Sequence, residues 1–209
     1  MATSSPLEAR EPSGLTLEAW ADLDEDEEGE LVDGRLVEEE MPSVLHEAVV
    51  IWLIGILAGW AEPRGGWVFG SEFKLGMREQ RRGRKPDLVM YLSRSKVPAR
   101  KRSMATQPPD VVIEVTSPRL RDERRDRFEK REEYARFGVR FYWILNPQVR
   151  GLEIFELDAS GRYVVVLSAS EGTHEVPGCE GLTVNLDALW SRLDALPDED
   201  DTEASDRDP

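Results

Sequence analysis

The sequence predicts a mixed α/β (α+β) fold in which helices pack on a central mixed β-sheet. Short apolar segments typical of strands alternate with helical segments, and 40% of the 209 residues are hydrophobic, which is enough for one full core. The strand predicted at residues 110–116 is apolar on both faces and is therefore expected in the middle of the sheet. We expect one domain over residues 15–196, between a disordered N-terminal tail (1–14) and an acidic disordered C-terminal tail (197–209).

Caps and turns justify the elements of the N-terminal part. Thr16 caps a short helix at residues 17–22, and Asp33-Gly34 is the turn of a hairpin between two apolar pairs. Pro42-Ser43 opens a helix from Val44 to about Trp60, which ends near Pro63 and two glycines.

The elements that follow are mainly short strands. Apolar segments predict strands at residues 67–69, 73–75, 87–91, 110–116, 141–145, 152–156 and 163–167. A charged helix is predicted at residues 122–137, where Gly138 follows at the C′ position, and a short closing helix at residues 186–196.

The charges are distributed unevenly around the formal net charge of −15. Residues 22–30 and 198–208 each hold 7 acids, whereas residues 78–136 hold 18 Lys and Arg against 10 Asp and Glu. A basic middle between acidic segments favours a phosphate-binding surface despite the negative total. Solvated helix faces are the alternative interpretation for individual arginines.

The sequence shows no signal for export or membrane insertion. Its first residues lack the basic and apolar regions of a signal peptide. The longest apolar stretch, residues 48–61, has 14 residues, which is short for a bilayer span and typical of a buried helix. A single cysteine, Cys179, rules out an internal disulfide. We expect a cytoplasmic protein without a membrane partner.

Two carboxylates are unusual for their surroundings. Glu114 lies inside a strand of Val and Ile, where a charge is costly unless it is paired or binds a cation. Asp87 opens a second apolar strand. On adjacent strands the two could share a divalent metal, since Mg²⁺ takes one or two protein carboxylates and keeps several waters. The alternatives are a turn residue at Asp87 and a buried ion pair at Glu114.

Lys130 is the third candidate. Asp126, Lys130, Tyr134 and Phe137 lie on one face of the predicted helix, and the two aromatic residues indicate that this face turns inward. An ordinary Asp126–Lys130 surface pair is the alternative.

Four segments in order resemble a known family. They are Pro-Asp-Leu at residues 86–88, Asp-Val-Val-Ile-Glu-Val-Thr-Ser-Pro at 110–118, the series Asp126, Lys130, Tyr134 and Gly138-Val139, and Tyr-Trp-Ile-Leu-Asn-Pro at 142–147. Residues 30–37 and the pair Pro42 and His46 are also similar. Over residues 15–170 the chain resembles the Uma2 family, restriction-endonuclease-like proteins of the PD-(D/E)xK nuclease superfamily.

The resemblance implies a restriction-endonuclease-like core and cleavage of DNA phosphodiester bonds with Mg²⁺ or Mn²⁺. It implies that Asp87 and Glu114 hold the metal and that Lys130 completes the catalytic set. The superfamily usually places this lysine two residues after the glutamate, where this chain has Thr116. The family is understood to carry it on the following helix, at the position of Lys130.

The first long helix adds two weaker candidates. An acid from this helix joins the metal site in related nucleases, which makes Glu47 a candidate, although a helix-start Glu favoured by the helix dipole is the alternative. His46 is either a base or a packing or capping residue.

The basic residues on both sides of the Asp87 strand are expected to contact DNA phosphates without reading sequence. They are Arg81, Arg82, Arg84, Lys85, Arg100, Lys101 and Arg102. The rival function is an inactive nuclease fold that binds nucleic acid or a protein, and a hydrolase of another phosphodiester is a third. A homodimer is compatible with the resemblance, because many such nucleases act as dimers.

Overall fold

The structure, a computed structural model, describes residues 14–23, 29–37, 41–116 and 124–197. Its strands β1 to β12 are Glu30–Val32, Arg35–Val37, Trp67–Phe69, Leu75–Met77, Arg82–Arg84, Leu88–Tyr91, Val111–Val115, Phe141–Asn146, Gly151–Leu157, Tyr163–Ala169, Thr173–Glu175 and Thr183–Asn185. Its helices α1 to α4 are Leu17–Ala21, Val44–Ala61, Arg131–Phe137 and Leu186–Asp194. A π-helical segment, Arg125–Lys130, leads into α3, and short 3₁₀ helices span Glu62–Arg64, Arg78–Gln80 and Arg94–Lys96.

A mixed six-stranded sheet forms the centre of the fold, as predicted. Its strand order is β10-β9-β8-β7-β6-β3, in which β7 and β8 are parallel and the other neighbours antiparallel. The strand that is apolar on both faces, β7, lies inside the sheet. Its residues Val111, Ile113 and Val115 pack in the core with α2 and α4, while Val112 packs with the α3 side. Alternation therefore places Glu114 on the α3 face.

A second sheet, of order β2-β1-β5-β4, brings the N-terminal hairpin to the central domain. The hairpin turn is as predicted, since Asp33 and Gly34 both have positive φ, of 51° and 76°. Strand β5 was not predicted, because Arg82–Arg84 has charged residues on both sides of a glycine and no apolar alternation. Trp20 of α1 packs on this sheet with Leu31.

One predicted strand needs correction, and one hairpin was not predicted. The strand predicted at residues 73–75 lies at Leu75–Met77, because Phe73 closes a tight turn in which its amide donates to the Gly70 carbonyl. The hairpin of β11 and β12 was not predicted, since its strands are short and alternate weakly. The predicted tails lie almost entirely outside the described residues, and the domain boundaries stay a prediction.

Helix α2, Val44–Ala61, has its predicted bounds to within one residue. With the turn that follows, Val44–Arg64 is long and apolar enough to cross a membrane by length and composition alone. The core helix of a soluble protein meets the same criteria, and Val49, Leu53 and Leu57 of α2 are buried against the central sheet. The absence of a membrane partner stays a prediction.

Replacing Gly83 with alanine tests how tightly α1 packs on the second sheet. A Cβ atom at this position would lie 2.5 Å from Cε3 of Trp20, so the ring or the strand must move. We expect Gly83→Ala to lower the free energy of unfolding by about 1–3 kcal/mol in denaturant titrations. Gly55→Ala is the control, because an exposed helical site with open space around it gains about 0.5–1 kcal/mol. Equal stability of Gly83→Ala and the wild type would contradict this packing.

Candidate active site

Asp87 and Glu114 meet at one end of the central sheet. The register of β6 and β7 pairs Leu88 with Ile113, so Asp87, the next residue outward, lies opposite Glu114. Cross-strand partners in an antiparallel pair point to the same face. Oδ2 of Asp87 accepts a 2.6 Å hydrogen bond from the amide of Val115, and both carboxylates line a cleft of about 370 Å³.

Lys130 enters the same cleft from the helix side. Its Nζ lies 3.0 Å from Oε2 of Glu114 and 3.4 Å from both Oδ1 of Asp126 and Oε1 of Glu30. The residue is only 4% exposed, so its pairing with Asp126 is part of a buried cluster and not an isolated surface pair. The structure thus brings Asp87, Glu114 and Lys130 together.

The π-helical segment is supported by a hydrogen bond from the sheet. The wider turns of a π-helix shift the hydrogen bonds between backbone amides and carbonyls out of the α-helical pattern, and such turns are frequent at functional sites. The hydroxyl of Tyr142, on β8, donates to the carbonyl of Asp126 at 3.0 Å. This contact holds the segment against the sheet at the point where Asp126 and Lys130 face inward.

The carboxylates of the cleft are crowded and buried. Burial raises the pKa of Glu114 well above its usual value; Lys130 opposes this shift, and the charges of Asp126, Asp87 and Glu30 add to it. Burial likewise raises the pKa of Asp126. Tyr134 donates from its hydroxyl to Oε1 of Glu114 at 2.7 Å, which fixes the carboxylate opposite Lys130.

Glu30 belongs to this cluster, and sequence reasoning missed it. Its Oε2 accepts a 2.6 Å hydrogen bond from Arg84, and its Oε1 accepts one of 3.2 Å from the amide of Lys85. Although burial opposes ionisation, Lys130 and Arg84 outweigh it and lower the pKa of Glu30 to about 2. The available signal was a carboxylate opening an apolar strand, as at Asp87, but the run of acidic residues before Glu30 obscured this signal.

The prediction that Arg84 contacts DNA phosphates needs correction, because Arg84 is buried. Its side chain is 1% exposed and forms two hydrogen bonds with Glu133, of 2.7 and 2.9 Å, besides the one with Glu30. A guanidinium held in this way is buried between protein carboxylates and cannot reach a DNA backbone. Arg82 is bound similarly to Glu133 and Asp33 and does not line the cleft.

The other predicted phosphate contacts divide into two groups. Lys85 lines the cleft, 3.0 Å from Glu72, so it is placed near the candidate site. Arg81 and the exposed series Arg100, Lys101 and Arg102 do not line it. The loop that carries this series leaves β6 and enters β7 at the strand ends opposite Asp87 and Glu114. Their contact with phosphate stays a prediction.

His46 and Glu47 of α2 both reach the cleft. His46 Nε2 lies 3.1 Å from Oδ1 of Asp87. Burial disfavours the imidazolium, but the hydrogen bond and charge of Asp87 outweigh it and raise the pKa of His46. Glu47 lines the cleft with a side chain that is 54% exposed, and its Oε1 lies 3.7 Å from Nδ1 of His46.

The donor chemistry of the cleft fits a hard divalent cation. Asp87, Glu114 and Asp126 supply carboxylate oxygens, and the buried Oδ1 of Asp126, which lies 3.4 Å from Nζ of Lys130, accepts no hydrogen bond from the described residues. Within the described residues, no three His, Cys, Asp or Glu side chains are grouped closely enough to enclose an ion by themselves. A cation that keeps several waters, as Mg²⁺ does, suits such an open site.

Comparisons with known proteins identify the family and the fold. The model of the Uma2 family, described as "Putative restriction endonuclease", matches residues 16–191. A crystal structure of a "putative nuclease belonging to DUF820" from Anabaena variabilis superposes with a TM-score of 0.70 at 18% identity, covering 86% of this chain and 99% of that one. That likeness shows the fold. No curated protein matches the sequence.

Replacing Glu30 with glutamine tests the buried cluster. Removing one partner of a buried ion pair leaves Arg84 and Lys130 without its charge, so we expect Glu30→Gln to lose about 3 kcal/mol of unfolding free energy near pH 7. The folded pKa of Glu30, about 2, lies below its usual value of 4.5, so its contribution is complete above pH 4.5 and disappears as the pH falls toward 2.

The difference between Glu30→Gln and the wild type, measured by denaturant titration, should therefore shrink below pH 4.5. Glu18→Gln is the control: Glu18 forms an exposed pair with Arg78, and its loss should leave stability near neutral pH unchanged. A difference for Glu30→Gln that stays constant with pH would contradict the charge network.

Proposed function

Because this chain belongs to the Uma2 family, we propose that it is a divalent-metal-dependent nuclease that hydrolyses phosphodiester bonds of DNA in the Asp87–Glu114 cleft. One observation carries the proposal: Asp87, just before β6, Glu114 of β7 and Lys130 of the π-helical segment line a single cleft. Restriction-endonuclease-like families generally use a divalent metal, and a nuclease family implies a nucleic-acid substrate. The choice of Mg²⁺ or Mn²⁺ and of DNA is part of the proposal.

Asp87 and Glu114 would hold the metal, with the open positions left to water and substrate. When bound, a divalent cation polarises a phosphoryl oxygen and makes a bound water more acidic. Val115 and His46 hold the Asp87 carboxylate through its two oxygens, and Tyr134 holds Glu114. These contacts fix both carboxylates in the geometry that the site needs before substrate arrives.

Lys130 acts as a fixed ammonium in this proposal. It lies within 3.4 Å of three carboxylates, an environment that favours its charged form. A general-base role, which would require the neutral amine, is therefore less suited to it than charge stabilisation. From this position the ammonium donates to the attacking water or to a phosphoryl oxygen and stabilises the negative charge that develops there.

The cleft presents further positive charge to a phosphate backbone. Lys85 and Arg125 line it together with Lys130, and Nζ of Lys85 lies 3.0 Å from Oε2 of the exposed Glu72. Charge on these side chains attracts the backbone without regard to sequence, because phosphate contacts carry no base information. Cleavage without strong sequence preference is the form of activity that these contacts support.

Substitution of Lys130 tests the catalytic assignment. We expect Lys130→Ala to lower the cleavage rate roughly 100-fold or more, because a charge-stabilising donor is lost at the reacting phosphate. The measurement is single-turnover cleavage of single-stranded, duplex and branched DNA with Mg²⁺ or Mn²⁺. Arg136→Ala is the matched control, since Arg136 is an exposed cation on the same helical stretch. Cleavage by Lys130→Ala at the wild-type rate would refute the assignment.

Metal affinity tests the carboxylates separately. We expect Asp87→Ala to abolish Mn²⁺ binding in isothermal titration calorimetry, because one of two ligands is lost, while Lys130→Ala leaves binding largely intact. Asp194→Ala, at an exposed aspartate paired with Arg150, is the control for a general loss of negative charge. Unchanged binding in Asp87→Ala would place the metal elsewhere. Metal binding and DNA binding without cleavage would identify an inactive member of the family.

A further inference from the structure

Three aromatic rings form a row along the edge strand β3. The ring planes of Trp67 and Phe69 are 14° apart with centroids 6.1 Å apart, and those of Phe69 and Phe73 are 18° apart at 4.5 Å. Tyr91 packs edge-on against both phenylalanines from the neighbouring strand. The row Trp67–Phe69–Phe73, called the aromatic row below, is therefore a series of nearly parallel rings, two of which pack on Tyr91.

The aromatic row shares its face of the sheet with the candidate active site. Phe69 pairs with Val89 across the β3–β6 ladder, and Asp87 lies two residues before Val89 on the same face. The turn between Phe69 and Phe73 contains Ser71 and Glu72, which line the cleft. The row thus begins at the cleft and ends at Trp67, whose partner Tyr91 lies four residues, or about 13 Å, beyond Asp87.

A basic loop lies beside the row. Residues 94–102 carry the exposed side chains of Arg94, Arg100, Lys101 and Arg102. On one side of this loop Val97 packs in the same cluster as Phe69 and Phe73, and on the other side Ala105 pairs with the backbone next to Phe73. The exposed Arg100, Lys101 and Arg102 therefore lie in the chain between Val97 and Ala105, which both pack in the cluster that includes Phe69 and Phe73.

Core packing accounts for only part of the row. Phe69 and Phe73 are half-buried and pack on Tyr91, as core residues at a sheet edge do. Trp67 is different, because it is 49% exposed and lies outside the described hydrophobic clusters. A large aromatic ring left open to solvent at the end of a ring series, beside cations, is the arrangement that proteins use to bind unpaired bases.

We propose that the aromatic row is a stacking platform for an unpaired segment of the nucleic-acid substrate. A base continues the ring series on the open side of Trp67, and the backbone of the same strand follows the basic loop. The proposal rests on the proposed function and narrows it to substrates with a single-stranded segment next to the cleavage point. It also gives the exposed arginines of the loop a role that their distance from the cleft otherwise leaves unexplained.

The test is fluorescence anisotropy with two labelled probes, a 12-nucleotide oligothymidine strand and a hairpin duplex of equal length. Ca²⁺ replaces Mg²⁺, and a gel checks that the probes stay intact. We expect Trp67→Ala to weaken single-strand binding at least fivefold, the effect of losing one stacked base, and to change duplex binding less than twofold. Trp67→Phe should restore most of the affinity, since a ring is again present.

Matched variants separate stacking from folding and charge. Val165→Ala removes an exposed apolar side chain on β10, at the opposite edge of the same sheet, and should bind like the wild type. Trp67→Leu keeps apolar bulk without a ring and should behave like Trp67→Ala, with thermal melting as the check on folding. Replacing Arg100, Lys101 and Arg102 together with serine should reduce the slope of log affinity on log salt by up to about 2.

Three results would overturn the platform. They are wild-type single-strand affinity in Trp67→Ala, equal losses for both probes, and a wild-type protein that does not bind the oligothymidine. If Lys130→Ala still loses cleavage in any of these cases, the proposed nuclease function stands without the platform. If the Trp67 effect appears while the wild type cleaves nothing, the platform is supported and the nuclease function fails.

Discussion

The burial of Lys130 among carboxylates is the constraint on which the rest of the site depends. Removing a charge from water costs several kcal/mol even after relaxation, so a buried ammonium needs partners in good geometry. Glu114, Asp126 and Glu30 supply them from β7, the π-helical segment and β1. The lysine can therefore keep its place only if β1 and β7 are assembled against the segment that carries it.

Glu30 extends this requirement to the second sheet. Its carboxylate is shared between Lys130 and Arg84, and Arg84 in turn binds Glu133 of α3. The four-stranded sheet is thus joined to the helix of the site by alternating charges, each satisfied by its neighbours. A network of this kind is costly when one member is missing, so the N-terminal hairpin contributes to the geometry of the site although it lies far from it in sequence.

The sequence predicted the parts of this arrangement that break a local pattern. Glu114 was found because a carboxylate inside an apolar strand needs a partner, and Lys130 because its helical neighbours are aromatic. Glu30 breaks the same kind of pattern, but it follows a run of acids that reads as solvated. Arg84 was assigned to phosphate because a basic run gives charge without burial, and only the tertiary structure shows that Glu30 and Glu133 surround it.

The predicted secondary structure shows the same limit. Helices and strands with caps, turns or apolar periodicity were predicted close to their observed bounds, and the central position of β7 followed from its two apolar faces. Strand β5 forms because β1 and β4 flank it and α1 packs on Gly83, none of which is visible in the local sequence. Long-range pairing fixed what local propensity left undetermined.

The charge of the cleft also bears on how an acidic protein would accept a polyanion. Glu30, Asp87, Glu114 and Asp126 line a cleft whose cations, among the residues that the structure describes, are Lys85, Arg125 and Lys130, and Lys130 is already shared among three of these carboxylates. A phosphate that approached these carboxylates alone would be repelled. In the proposed function, a divalent cation removes this repulsion, so cation and nucleic acid favour each other's binding by the same factor.

The basic loop beside the aromatic row acts outside the cleft, where attraction to the backbone does not depend on the cation. Affinity and catalysis are in this way assigned to different surfaces on one face of the sheet, and a strand held at the row is directed toward the carboxylates that its phosphates could not approach unaided.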